Sequence, residues 1–473
     1  MKQSILLLII FVFTGCGGAE KTTTQADETQ MPLGLPENFG SKFDPDFSFD
    51  TEKMTEYLSL INKNDKWQGS VAIVHDGKPM YLKAFGKLSE SSNRNADGGT
   101  RYRIGSISKT YLSTIIHQLA AKGKLSLSTK LSKYYPKMPN AKAITIEQML
   151  RHETGLANYI EAEGFDLLKD QTQQEILSFI EDLKPTGKPG QRFEYSNTNY
   201  FLLAKIIEQE TGKTYREAVQ QLILAPRRFV ATKIADNEVL PNQNEASSFV
   251  FNYDTNTWTQ VPAWSINNAT GAGDISATAA DVASFFHDLM NGKIVEPRQV
   301  SKLVDTDSKG QGKGIFEIPF YDRTSYGHTG GLEGYRSVAG FFPEENISFA
   351  ILSNGVNMDH NDVAIGVLSI LFGKKYRLPL FGEAALNMVE KIDAYIGEFE
   401  TEEFPLDISI FDIDGQLFGR ATGQSQFPLS QMEDGSFEFE PANITVTFDD
   451  LKDGKYQGFT FFQGREFYFN RKE

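Results

Sequence analysis

Gly105-Ser106-Ile107-Ser108-Lys109-Thr110 places a hydroxyl and an amine three residues apart at the start of an apolar-periodic segment. On a helix the two side chains share a face. A serine attacks a carbonyl carbon only when something takes its proton. A lysine one turn along, desolvated enough to lose its charge, is one of the few side chains able to do so. The pair therefore points to acyl transfer. Its other reading is an ordinary helix start, with Ser106 as a cap and Lys109 in solvent. Ser-x-x-Lys occurs at this one place in the chain.

Two further groups of residues suit the same chemistry. Tyr195-Ser196-Asn197 stands just ahead of a helical pattern, where a loop-to-helix junction can aim a phenol and an amide at one point. A second Tyr-x-Asn, Tyr468-Phe469-Asn470, falls in an alternating run near the end of the chain and reads as part of a strand. His328-Thr329-Gly330-Gly331 precedes a strand-like run, and its small residues would let a substrate backbone lie along a sheet edge. Taken singly, Tyr195 reads as core and His-Thr-Gly as a loop. The remaining histidines, His75, His117, His152, His287 and His360, show no paired ligand spacing, so neither a metal nor another cofactor is expected. His152 reads as a brace for a loop beneath the cleft.

These residues need a frame. Residues 71–75 and 80–85 are strand-like runs joined across Asp76-Gly77, a strong hairpin signal. Residues 106–122 carry Ile107, Tyr111, Ile115 and Leu119 at helical spacing and stop at Gly123. Ser106 then lies at a helix N-terminus, where unpaired backbone amides can stabilise an oxyanion. Further helices are predicted over 146–151, 173–183, 199–210 and 279–291. Strands are predicted over 336–342 and 347–353, with Pro343-Glu344-Glu345-Asn346 turning between them. Helices between an early hairpin and late strands predict an α+β domain whose sheet joins both ends of its sequence. After about residue 380 a predicted helix, 384–396, gives way to short alternating runs punctuated by Asp414-Gly415, Asp434-Gly435 and Asp453-Gly454, as in an all-β sandwich or barrel.

The N-terminus has a charged start, an apolar run at 5–13 too short to span a bilayer, and small residues around Cys16, the sole cysteine. This resembles a bacterial lipoprotein signal, with lipid carried on Cys16 after cleavage. The expected organisation is a signal peptide at 1–15, a flexible tether at 16–50, a catalytic domain at 51–380 and a β domain at 381–473. The expected location is the cell envelope, outside the cytoplasm. One cysteine permits no internal disulfide. A net charge of -15 leaves no basic face for phosphates, which argues against nucleic acid.

Gly-Ser-Ile-Ser-Lys, Tyr-Ser-Asn and His-Thr-Gly, in that order, resemble the three motifs of serine hydrolases related to class C β-lactamases and D-alanyl-D-alanine carboxypeptidases. The likeness runs over about residues 69–355 and includes His152-Glu153-Thr154-Gly155-Leu156, residues 273–281 and Ser353-Asn354-Gly355. It implies a β-lactamase/penicillin-binding-protein-like transpeptidase fold, an antiparallel sheet flanked by helices with an all-helical subregion. The C-terminal β region resembles the lipocalin-like modules attached to some of these hydrolases. The resemblance further implies that Ser106 forms an acyl-enzyme, with Lys109 and Tyr195 sharing the proton transfers. A lysine ammonium near the phenol would lower its pKa from about 10 toward neutrality. The amides of Ser106 and Gly331 would hold the oxyanion. Asn197 would bind a substrate amide carbonyl, and His328, Thr329 and Gly330 would line the cleft edge. Many β-lactamases carry lysine where this chain has His328, so a fixed positive charge for a substrate carboxylate is not implied. Three functions are in play: a hydrolase of a small-molecule or peptide amide or ester, such as a D-amino-acid peptide; a β-lactam hydrolase; and a non-turnover cell-wall sensor.

Overall fold

The computed structural model describes residues 39–472 except 380–391 and scattered single or paired positions. The signal sequence, Cys16, the tether as far as residue 38 and most of the helix expected at 384–396 lie outside the described residues. The chain divides into two compact units, one spanning 30–360 and one containing 361–473.

The first unit is built on a six-stranded antiparallel sheet in the order Lys78–Phe85, Trp67–His75, Ile347–Val356, Arg336–Phe342, Arg323–Gly331, Phe316–Phe320. The expected early hairpin and late strands therefore do meet. Asp76 and Gly77 both take positive φ, 49° and 73°, the conformation a two-residue hairpin with right-handed strand twist requires. Trp67–His75 is buried along its whole length. Ala72 and Val74 enter the main core, shared with the helix Ala279–Met290, while Val71 and Ile73 are buried on the other face. On that face Tyr81, register partner of Ile73, hydrogen-bonds Thr55 of the helix Thr51–Lys63 at 3.0 Å. The strand is covered on both faces, and its centre, Val71 to Val74, is apolar at every position.

Residues 39–49, which composition assigns to the tether, lie along this unit. Gly40 N–H donates to the Pro343 carbonyl, Lys42 N–H to Glu344, and Phe43 stacks on His75 at 5.3 Å. The second unit is a nine-stranded antiparallel sheet whose two edge strands, Gln426–Pro428 and Ser430–Gln431, are separated by one residue in sequence, giving a nearly closed barrel. Phe399, Phe437, Phe459 and Phe469 are among the side chains filling it. Tyr468-Phe469-Asn470 falls in its last strand, Glu466–Arg471, as expected.

Candidate active site

The helix Ser108–Ala121 is preceded by one 3-10 turn, Gly105–Ile107, so Ser106 stands at its mouth. Neither Ser106 nor the flanking residues make a side-chain cap, and Lys109 is completely buried. The reading as an ordinary helix start fails on both counts. Ile107, Tyr111, Leu112, Ile115 and Ile116 anchor the helix in the core, each buried apolar side chain contributing roughly 1.5–3 kcal/mol. Its buried hydroxyls are matched individually: Ser108 Oγ accepts from Ile275 N–H, and Thr110 Oγ1 donates to the Gly314 carbonyl at 2.8 Å. A helix end fixed this tightly holds Ser106 in one place.

Lys109 Nζ has three oxygen neighbours: Ser106 Oγ at 2.9 Å, Asn197 Oδ1 at 2.8 Å and the Ala272 carbonyl at 2.6 Å. The Ala272 carbonyl arrives through Gly271, at φ 70°, where an added Cβ would lie 2.7 Å from both the Ala204 Cβ and the Tyr200 carbonyl. Only glycine lets that loop approach so closely. Burial pushes the Lys109 pKa well down, the charge of Asp274 opposing only in part. Tyr195 Oη donates to Ser106 Oγ at 2.9 Å. Its phenol moves the other way from the expectation: burial raises its pKa, with the hydrogen bond to Ser106 opposing. Lowering the phenol pKa requires a charged lysine, and burial disfavours that charge on Lys109.

Tyr195 is positioned by its surroundings. His152, itself at φ 56°, stacks on the phenol ring at 4.1 Å and accepts the Ser196 N–H on Nδ1 at 3.1 Å. Its carbonyl accepts from Glu194 N–H. His152 therefore braces the loop, and burial lowers its pKa, disfavouring the charged form. Asn197 opens the helix Asn197–Thr211 and is oriented by Asn158, whose Oδ1 accepts from both its backbone N–H and its Nδ2. Its amide oxygen is thereby turned to Lys109 and one Nδ2 hydrogen is left over, so in this state it orients the amine as well as facing the cleft.

The strand Arg323–Gly331 ends against the nucleophile. A Cβ on Gly105, which has φ 54°, would stand 2.7 Å from the Gly331 nitrogen. The Gly105 turn is itself clamped, Ile104 N–H donating to Ile275 and its carbonyl accepting from Ser337 Oγ at 2.8 Å. This brings the Gly331 backbone beside Ser106. Thr329 is exposed, but His328, its neighbour on the opposite strand face, is not a rim residue. It is 2% exposed, packs edge-on against Phe316, and burial pushes its pKa down to about 3. It supplies no cation.

A family model described as Beta-lactamase matches residues 65–371. The chain belongs to the β-lactamase family. It is thus a hydrolase of the serine β-lactamase superfamily. The chain is 26% identical over 306 residues to the teichoic acid D-alanine hydrolase of Staphylococcus aureus, covering 64% of this chain and 72% of that one. Two solved structures share the fold: a D-amino acid amidase from Ochrobactrum anthropi SV3 in complex with D-phenylalanine (TM-score 0.61, 22% identity, 68% of this chain and 100% of that one) and an octameric penicillin-binding protein homologue from Pyrococcus abyssi (TM-score 0.63, 21% identity, 89% and 99%).

Within this β-lactamase-family site, three participants escaped sequence reasoning: Asn158, the Ala272 carbonyl and Asp274. Asp274 is 2% exposed; Gly271 N–H donates to its Oδ2 at 2.9 Å, and Oδ1 has no hydrogen-bond partner among the described residues. Burial raises its pKa from 3.8 to about 7. The folded value lies above the unfolded one, so the stability linked to this carboxyl is complete below about pH 4 and drains as pH rises through about 7. Asp274→Asn, neutral at every pH, should therefore gain on the wild type between pH 4 and 8 by roughly 2–4 kcal/mol, at about 1.4 kcal/mol for each tenfold difference in proton affinity between the folded and unfolded chain. Urea melts of both proteins at the two pH values measure it. Parallel pH profiles would mean that the carboxyl is ionised in the fold.

Proposed function

We propose that this chain hydrolyses an amide or ester through a covalent acyl-enzyme on Ser106, with an acyl donor built on a D-amino acid. The observation that carries the reading is the completely buried Lys109 amine, 2.9 Å from Ser106 Oγ and held by two further oxygens. A neutral amine has two hydrogens and one lone pair. With the hydrogens given to Asn197 Oδ1 and the Ala272 carbonyl, the lone pair is directed at Ser106.

Lys109 takes the Ser106 proton as Oγ bonds to the carbonyl carbon, and the oxyanion faces the amides of Ser106 and Gly331. Such donors are each worth about 10²–10³ in rate. Tyr195, a neutral phenol already donating to Oγ, passes its proton to the departing nitrogen or oxygen, and Lys109 returns a proton to the phenol. Water then attacks the acyl-enzyme by the same relay in reverse, releasing the acid and restoring the serine. The D-configured acyl donor is supported by two names, teichoic acid D-alanine hydrolase and D-amino acid amidase. His328, buried and neutral, offers no charge to a lactam carboxylate. Lipid on Cys16 would hold the enzyme at the outer face of a membrane, with the cell wall within reach. Among the described residues no helix is long and apolar enough to cross one.

A fluorophosphonate or labelled penicillin, followed by peptide mass mapping, is expected to place the adduct on Ser106 and none on Ser106→Ala. Label on another residue, or label surviving that substitution, overturns the assignment. A turnover panel of D-amino-acid amides, D-alanyl peptides, aryl esters and a cephalosporin then separates hydrolase from lactamase. An adduct with no turnover of any of them marks the sensor.

A further inference from the structure

The turn that brings the Ala272 carbonyl to Lys109 is closed by one side chain, Asp274. Between the 3-10 turn Ile266–Ala269 and the strand Ile275–Ala277, the N–H groups of Ala272 and Gly273 donate to the Ala269 carbonyl at 2.9 and 2.8 Å. Gly271 N–H donates to Asp274 Oδ2 at 2.9 Å. The backbone at Asp274 is pinned from outside the turn. Its carbonyl accepts from Ala235 N–H at 2.8 Å, and the next N–H, that of Ile275, donates to Ser108 Oγ on the helix that carries Lys109. The carboxyl therefore ties the start of the turn to a point fixed against that helix. The carbonyl held between them meets Nζ at 2.6 Å.

An asparagine oxygen would close the same turn. A carboxyl that is 2% exposed, with Oδ1 unmatched among the described residues, is a costly group to bury for that purpose alone. Its charge acts on Lys109, on Arg216 and on the phenols of Tyr159 and Tyr215. Arg216 is engaged elsewhere, donating to the Ile234 and Ala235 carbonyls and pairing with Asp236. Burial raises the pKa of both phenols and so favours their neutral forms. Lys109 is the member of this set whose charge changes in the reaction. Its other surroundings are Ser106, Asn197, the faces of Tyr195 and Tyr200 at 5.0 and 5.5 Å, and His152 and His328, in both of which burial disfavours the cation. Among the described residues, Asp274 is the acid whose charge acts on the amine.

We propose that Asp274 is a positioning residue for the base: it aims the Ala272 carbonyl at Lys109 and supplies the negative field that favours the ammonium formed there. The Ser106 proton moves from Oγ to Nζ as Oγ bonds to the acyl carbon, and Asp274 neither gives nor takes one. The proposal rests on the reading of Ser106 as nucleophile and Lys109 as its base.

The test is the rate at which a fluorophosphonate labels Ser106 in the full chain, followed against pH. Fluoride departs without needing a proton, so this rate reports on the base rather than on the phenol. Asp274→Asn keeps an acceptor for Gly271 N–H and removes the charge. Its plateau rate should fall about threefold to tenfold, because the amine becomes a weaker base. Its acid limb, where Lys109 gains a proton, should move to lower pH by roughly 0.5–1 unit, since an amine without a nearby anion stays neutral further down the scale. Urea melts at pH 8 should show the same variant to be more stable than the wild type, so the lost rate is not lost fold. Asp274→Ala, which also drops the turn bond, should label more slowly than Asp274→Asn; equal rates would overturn the turn-closing role. An Asp274→Asn whose limb stays in place, with or without a slower plateau, overturns the role of the charge while leaving the hydrolase intact. If the wild type takes no label on Ser106, the hydrolase reading fails and this one fails with it.

Discussion

Lys109→Met should lower kcat/KM by about 10²–10⁴ toward amides and activated esters alike, because the residue that removes the Ser106 proton is gone whatever the leaving group. The expected magnitude follows from how the amine is held. Three oxygens surround Nζ, and burial disfavours its charged form, which favours the lone pair that the base needs. Methionine keeps the volume and removes the lone pair. It also strips a donor from the buried Ala272 carbonyl and Asn197 Oδ1, a loss of about 1–3 kcal/mol each if nothing replaces it, partly offset because no amine need be desolvated. Thermal unfolding should therefore be measured with the kinetics. A folded variant within tenfold of wild type would move the base to Tyr195. The pH profile gives an independent check. As the pH falls, protonation of Lys109 should abolish acylation in the wild type, and in Lys109→Met that acid limb should disappear.

What could be read from the sequence was the set of groups whose chemistry lies in side chains at fixed intervals. Ser106 and Lys109 declare themselves by spacing, Tyr195 by its position before a helix, and Gly331 by following His-Thr-Gly. The structure brings all four together. The Ala272 carbonyl was invisible because a backbone acceptor leaves no mark in residue type. Asn158 was invisible because a single loop asparagine has many uses. Asp274 lies in a segment read for its family likeness, but its effect depends on complete burial, which no local pattern encodes. The same blindness to burial explains the two reversals. A lysine beside a phenol suggests ion-assisted ionisation when both are imagined in water, and the enclosed site favours the neutral forms of both. His328, placed at the cleft edge by sequence order, is turned into the core by the strand that carries it.

Those neutral forms make the Tyr195 variant the sharpest test of the proton path. Were the phenol an ionised base, Tyr195→Phe would slow every substrate equally. As a neutral donor to Ser106 Oγ at 2.9 Å, it is needed chiefly when the leaving group cannot depart without a proton. Tyr195→Phe should therefore lose about 10²–10⁴ in kcat/KM toward a D-amino-acid amide, whose nitrogen is a poor leaving group, and about tenfold or less toward a p-nitrophenyl ester of the same acyl group. The ring remains, so its stacking on His152 at 4.1 Å and the loop it stabilises should persist, which an unchanged melting temperature would verify. Equal losses on amide and ester would return the phenol to the role of base. A small loss on both would remove it from the relay, leaving Lys109 to carry the proton in each direction.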